Sequence, residues 1–201
     1  GIGTYGDISM FSFHATKLFH TLEGGCLTFN HIELKSHIDL LKNFGILNED
    51  EVVLPGINGK MSEPNAAFGM LQLKHVDFAL ARRREIDDNY RLRLGSVPGI
   101  HCVSPAGGQS SNCSYFPILV QENYPISRDN LYQHLKDNDV HARRYFYPLI
   151  SSFPMYRNMA SAQGDNLQIA ADAASKILCL PIYPALQPAE QQKVIDLIAT
   201  M

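Results

Sequence analysis

The sequence contains no uninterrupted apolar run near the ~20 residues that a membrane-spanning helix needs, so a helical bilayer span is excluded. It also lacks a surplus of basic charge. Seventeen Lys and Arg stand against 20 Asp and Glu, and a net charge of -3 argues against a broad nucleic-acid surface. Its four cysteines, Cys26, Cys102, Cys113 and Cys179, form no C-x-x-C pair, so the thiols read as reduced and cytosolic rather than as a disulfide scaffold or zinc site. The eight histidines include no H-E-x-x-H motif. His14 and His20, like His31 and His37, are six apart and do not share a helix face, so no metal is expected. G-x-S-x-G, Walker and G-x-G-x-x-G loops are absent too. No Met opens the sequence and no signal-peptide core follows Gly1-Ile2-Gly3-Thr4-Tyr5-Gly6-Asp7.

What is present is globular: 201 residues, 45% hydrophobic and 18% charged, enough for one ordinary domain or two small ones. The spacing predicts strands over 8–13 and 26–29, with Gly24-Gly25 as a turn of positive φ or close backbone approach. A first strand so rich in Phe and Met needs neighbours on both sides, which suggests a chain that starts mid-domain. Helices are expected over about 33–43, ended by Gly45, and over 62–74, capped by Ser62 with Ala67, Met70 and Leu71 facing a core. A longer helix over 76–94 carries Ile86, Tyr90 and Leu94 on one stripe, with Gly95 as C-cap. Beyond it, turns at 97–99 and 105–108 precede a strand over 115–120, placed at a sheet edge by Pro117. A helix capped by Ser127, a strand over 140–147 and helices over 166–178 and 188–199 complete an alternating α/β pattern.

Lys17 is the sharpest chemical candidate. It follows an apolar strand, with hydroxyls at Ser12 and Thr16 and imidazoles at His14 and His20 near in sequence. A partly desolvated lysine amine is a nucleophile able to form a Schiff base, whereas a solvated one is an ordinary surface residue. Ser12 can donate to a phosphate oxygen. His14 reads either as a ligand contact, by stacking or hydrogen bonding, or as a satisfied half-buried histidine. Asn58, in Gly56-Ile57-Asn58-Gly59, has the free side chain and neighbouring amides of a phosphate site, or of a plain turn. Arg82-Arg83-Arg84 reads as a solvated helix face, with Arg83 to Asp87 and Arg84 to Asp88 at supporting spacing. Arg143-Arg144 with Tyr145 and Tyr147 suits a diphosphate or sugar edge, or a solvated strand end.

Taken together, Gly6-Asp7-Ile8, Ser12-Phe13-His14-Ala15-Thr16-Lys17 and Glu23-Gly24-Gly25 resemble the active-site lysine region of the DegT/StrS family. That family comprises nucleotide-sugar aminotransferases, fold-type I pyridoxal-phosphate enzymes. The resemblance continues through the run from Gly56 to Glu63, Ala66-Ala67, Gln72-Leu73, Arg83-Arg84, Tyr147-Pro148-Leu149 and Leu180-Pro181-Ile182-Tyr183-Pro184. It implies an α/β chain: the C-terminal part of a fold-type I transferase, with the edge of the large α/β/α cofactor domain over 1–85 and a small α+β domain over 86–201.

The resemblance further implies that Lys17 carries pyridoxal 5'-phosphate as a Schiff base and moves the proton between donor and cofactor. Ser12 would bind the cofactor phosphate and Asn58 the phosphate held by a neighbouring subunit, hence a homodimer with shared sites. His14, Lys60 and Tyr147 would face the substrate. Expected reactants are L-glutamate and a nucleotide-linked keto sugar, most like a dTDP-linked 6-deoxyhexose, in cytoplasmic amino-sugar and polysaccharide biosynthesis. A family member with histidine at the lysine position is a dehydratase; Lys17 follows the aminotransferase pattern. In the family, roughly half the chain precedes this region and carries the acid for the pyridine nitrogen and the ring-stacking side chain. The 201 residues alone are therefore expected not to transaminate. The reading from another class is a non-catalytic interaction or structural module of the same fold.

Overall fold

The computed structural model describes residues 1–104, 111–163 and 166–201, so the expected turn at 105–108 lies outside it. The chain divides into two compact units, Gly1–Asp77 and Phe78–Met201.

In the first unit, β1 (Ile8–Ser12) and β2 (Gly25–Phe29) pair antiparallel, with Ile8 opposite Phe29 and Ser12 opposite Gly25. Helix α1 (Leu34–Leu41), the small ribbon of β3 (Ile46–Asn48) and β4 (Glu51–Val52), and helix α2 (Glu63–Leu73) follow. Ser62 caps α2 by accepting the Asn65 N–H at 3.4 Å, and Pro64 lies in the first turn. The expected core stripe of α2 is turned outward: Met70 is 65% and Leu71 56% exposed. The covered face instead carries Asn65, Phe68, Gly69 and Gln72. The reason is its neighbour. The loop after β1 brings the Thr21 methyl to Gly69 and the His20 ring to 5.4 Å from Phe68, an approach that a larger residue at 69 would block.

The second unit is built on α3 (Val76–Leu94), whose first two residues belong to the unit before it. Its antiparallel sheet has the order β5 (Ile100–Cys102), β6 (Phe116–Val120), β7 (Ile177–Leu180). Helices α4 (Arg128–Asp137), α5 (Gln168–Lys176) and α6 (Pro188–Ala199) complete it. As the spacing predicts, Ile86, Tyr90 and Leu94 are buried, joining Phe116, Ile118, Leu131, Leu135, Leu178, Ile195 and Ile198 in one core. The α6 bounds also match expectation, with Gln187 and Glu190 closing a reciprocal cap around Pro188.

Four local expectations are corrected. First, β6 is central, not an edge. Pro117 is tolerated because it faces Val103, at the end of β5: the Val103 N–H donates to the Pro117 carbonyl at 3.1 Å, and the return bond that proline cannot make is replaced by Arg91 Nη2 on the Val103 carbonyl at 3.0 Å. Second, the helix expected to 178 ends at Lys176, and Ile177–Leu180 is a strand. Four consecutive apolar residues in a sheet, the last three buried, have the same pattern as a buried helix turn. Third, residues 140–147 form no strand, only a single bridge of Arg143 to Cys179. The rings of Tyr145 and Phe146 stack at 3.7 Å, whereas successive strand side chains point to opposite faces. Fourth, Arg83 is not part of a solvated face paired with Asp87. Its Nη1 donates to the carbonyls of Cys113, Ser114 and Ile182, and Asp87 pairs with Arg91 at 2.6 Å. Gly95 follows the last residue of α3 as the expected C-cap. Its N–H donates to the Arg91 carbonyl, and a Cβ there would lie 2.6 Å from that oxygen.

Two outcomes follow for stability. Arg91→Met keeps the aliphatic stem but strands the Asp87 carboxylate and the Val103 carbonyl. It should cost about 2–4 kcal/mol in urea unfolding, and an unchanged midpoint would contradict this role. Tyr124 is 5% exposed and donates to the Ile198 carbonyl at 2.7 Å; burial pushes its phenol up to about 12. Because the folded state favours the neutral phenol, this contribution is intact below the ordinary value near 10 and is lost as pH rises toward 12. Unfolding free energy measured across that window should therefore fall less steeply in Tyr124→Phe than in the parent.

Candidate functional site

Lys17 lies in the loop joining β1 to β2, and the loop is closed by its own backbone. Phe13 N–H donates to the Gly24 carbonyl at 2.8 Å, Thr21 N–H to the Phe13 carbonyl at 2.9 Å, and Lys17 N–H to the His14 carbonyl at 2.9 Å. Gly25 is required by closeness, since a Cβ there would lie 2.7 Å from the Phe11 carbonyl oxygen. The Lys17 side chain is half-buried, and its Nζ has no hydrogen-bond or ion-pair partner among the described residues. Ser12 Oγ accepts the His14 N–H at 3.3 Å, which leaves the hydroxyl proton to donate elsewhere.

His14 is engaged within the loop. Its Nδ1 accepts the Thr16 N–H at 3.2 Å and lies 2.9 Å from Thr16 Oγ1, so the ring proton belongs on Nε2, which sits 3.5 Å from Glu23 Oε1. A cavity of about 730 Å³ opens beside the ribbon, lined by Ser12, Gly24, Gly25, Lys42, Lys60 and apolar side chains of both strands. Lys60 Nζ donates to Asn43 Oδ1 and lies 5.0 Å from the centre of the Phe44 ring. The structure thus brings Ser12 and Lys60 to one cavity, while His14 and Lys17 share the Ser12 loop without lining it. Asn58 does not line it either. Its side chain is exposed, but the neighbouring amides are not free as expected: Ile57 N–H donates to the Leu41 carbonyl and Gly59 N–H to the Lys42 carbonyl, both at 2.8 Å.

Tyr147 belongs to the second unit. Its ring lies 4.8 Å from the Arg128 guanidinium and 5.7 Å from that of Arg144, and Asp129 Oδ1 accepts from both arginines at 2.9 and 3.0 Å. Buried Arg128 also donates to the carbonyls of Ala174 and Ile177. Sequence reasoning passed over Arg128, although a cation in the first turn of a helix opposes the dipole and needs another reason to be there. Thr21 and Asn65 were missed as well; the available signal was Gly69, a lone glycine inside a helical pattern. Burial pushes the thiols of Cys102 and Cys113 up and that of Cys179 up to about 11, so these cysteines stay protonated near neutral pH and are poor nucleophiles.

The model of the DegT/DnrJ/EryC1/StrS aminotransferase family matches residues 1–199. The chain is 49% identical over 182 residues to a dTDP-4-amino-4,6-dideoxy-D-glucose transaminase of Shigella dysenteriae, covering 90% of this chain and 49% of that protein. The structure of DesI in the presence of its TDP-sugar product superposes with a TM-score of 0.88 at 31% identity, covering 98% of this chain and 50% of that one. The PMP form of a putative sugar aminotransferase from Streptococcus pneumoniae gives a TM-score of 0.85 at 22% identity, covering 98% of this chain and 52% of that one. The chain spans about half the length of the curated relatives it matches, and its α/β fold corresponds to the C-terminal half of sugar-aminotransferase structures. On a match that runs almost from end to end, the chain belongs to the DegT/DnrJ/EryC1/StrS aminotransferase family.

Proposed function

We propose that this chain supplies the lysine-bearing part of a pyridoxal-phosphate-dependent aminotransferase. It would move an amino group from L-glutamate to a keto group on a nucleotide-linked 6-deoxyhexose, in amino-sugar and polysaccharide biosynthesis. The observation that carries the reading is Lys17: a half-buried amine on a closed loop, with no carboxylate paired to it among the described residues. A dTDP-linked 4-keto substrate is supported by the 49% identity to the Shigella transaminase. Because these residues span half of that relative, turnover is assigned to the whole protein and not to them alone.

The residues present fit the cofactor in two respects. Lys17 offers an uncompeted amine, and Ser12 retains a hydroxyl proton for a phosphate oxygen. When bound, pyridoxal phosphate supplies the electron sink that stabilises negative charge at the donor's α-carbon. Lys17 Nζ takes the proton from that carbon and holds it at nitrogen. Lys60, on the cavity that Ser12 shares, would set a positive charge against the substrate diphosphate. Tyr147, its ring beside the Arg128 and Arg144 guanidiniums, would meet the sugar. His14, both nitrogens already engaged, would offer its exposed ring rather than a hydrogen bond.

Asn58, exposed and without a side-chain partner among the described residues, would reach the phosphate held by a second subunit in a homodimer. Exposed Met10, Ile57 and Met70 in the same unit give such a subunit apolar surface to bury. The same surface favours the second reading, a non-catalytic module covered by a partner. The cytoplasm, where thiols stay reduced, suits four free cysteines.

Treatment of the full translated protein with pyridoxal phosphate and borohydride, followed by peptide mass mapping, separates the two readings. We expect one cofactor fixed on Lys17 and none in Lys17→Ala. Label spread equally over surface lysines in both proteins would overturn the enzyme reading.

A further inference from the structure

We infer that Thr21 and Asn65 are positioning residues for Lys17, acting together through the main-chain carbonyl of Glu23. The loop over residues 13–24 leaves the β1–β2 ladder, so its shape must be held by bonds other than strand pairing. Three backbone bonds close it, and a second set anchors it from outside. The Glu23 carbonyl accepts Thr21 Oγ1–H at 2.8 Å and Asn65 Nδ2–H at 2.7 Å. From Glu23 the contacts run back to the lysine: its carboxylate faces His14 Nε2 at 3.5 Å, and the His14 carbonyl accepts the Lys17 N–H at 2.9 Å.

Both anchors depart from what their surroundings favour. Thr21 is 3% exposed, a buried hydroxyl in a unit whose larger apolar side chains are mostly exposed. Its Cγ2 occupies the space above Gly69, where an added Cβ would lie 2.7 Å away. Glycine inside a helix costs roughly 0.5–1 kcal/mol relative to alanine, so close approach of the threonine is what this position accommodates. Asn65 stands three residues after the Ser62 cap, the place from which a Glu or Gln side chain would reach back to the cap in a capping box. Its amide instead crosses 42 residues of sequence to the lysine loop. Asn65 and Gly69 lie four apart on one face of α2, so that face is a bracket for the loop.

The catalytic consequence rests on the proposed role of Lys17; the positioning itself does not. Hydrogen exchange of the full protein, followed by mass spectrometry, tests it with Thr21→Val, which keeps the methyl packing, and Asn65→Asp, which keeps the shape but loses the donor. Exchange of peptides covering residues 13–24 should rise about tenfold in each variant, the scale of one lost hydrogen bond, while α1 stays at the parent rate. Borohydride-fixed pyridoxal phosphate on Lys17 should form more slowly in both, and Thr21→Ser should restore loop protection and labelling. Parent-like exchange in Thr21→Val and Asn65→Asp, equal loosening of α1, or failure of Thr21→Ser to rescue would overturn the inference. Loosened loops in a protein whose Lys17 takes no cofactor would instead support the positioning and defeat the catalytic reading.

Discussion

Between β1 and β2 the backbone leaves the two-stranded ladder, and the lysine region is organised around the bonds that then hold it. The loop folds onto itself at Phe13, Lys17 and Thr21 and presents the Glu23 carbonyl to two side-chain donors. His14 follows from the same need. A histidine whose Nδ1 accepts a backbone N–H and whose Nε2 faces a carboxylate ties two ends of a turn together. The amine in the middle then has a fixed backbone and an uncommitted head group, the two conditions under which a lysine can serve as a nucleophile and a base.

The second unit solves a similar problem with one helix. Side chains of α3 reach the carbonyls that the short sheet and its connections leave over: Arg83 takes those of Cys113, Ser114 and Ile182, Tyr90 that of Pro181, and Arg91 that of Val103. The apolar stripe of the same helix enters the core, so one element contributes to both the packing and the polar satisfaction of this unit. Arg128 acts alike on the carbonyls at the end of α5, and its guanidinium holds one side of the Tyr147 ring.

What could be read in advance divides along the range of the interactions. Ile86, Tyr90 and Leu94, the Ser62 and Ser127 caps and the α6 bounds depend on residues a few positions apart, and periodicity displays them. The family was legible because the run from Ser12 to Lys17 is characteristic of it. Pro117 misled because its missing donor is replaced by an arginine from another element, and β7 because a short buried strand carries no alternation. The α2 stripe misled for a related reason: its hydrophobic spacing was sound, but the neighbour within its unit is a polar loop that selects Asn65 and Gly69. Thr21 and Asn65 are ordinary polar residues in sequence, and only a contact spanning 42 positions reveals what they hold.

The central proposal is that the Lys17 amine performs the proton transfer of an amino-group exchange. A single-turnover half-reaction tests it most directly. The full protein loaded with pyridoxal phosphate is mixed with L-glutamate and the 2-oxoglutarate released is counted. The account predicts about one equivalent per Lys17-bearing site in the parent and a rate at least ~100-fold lower in Lys17→Ala, the lower end of a positioned general base's contribution. Equal rates in the two proteins would contradict it.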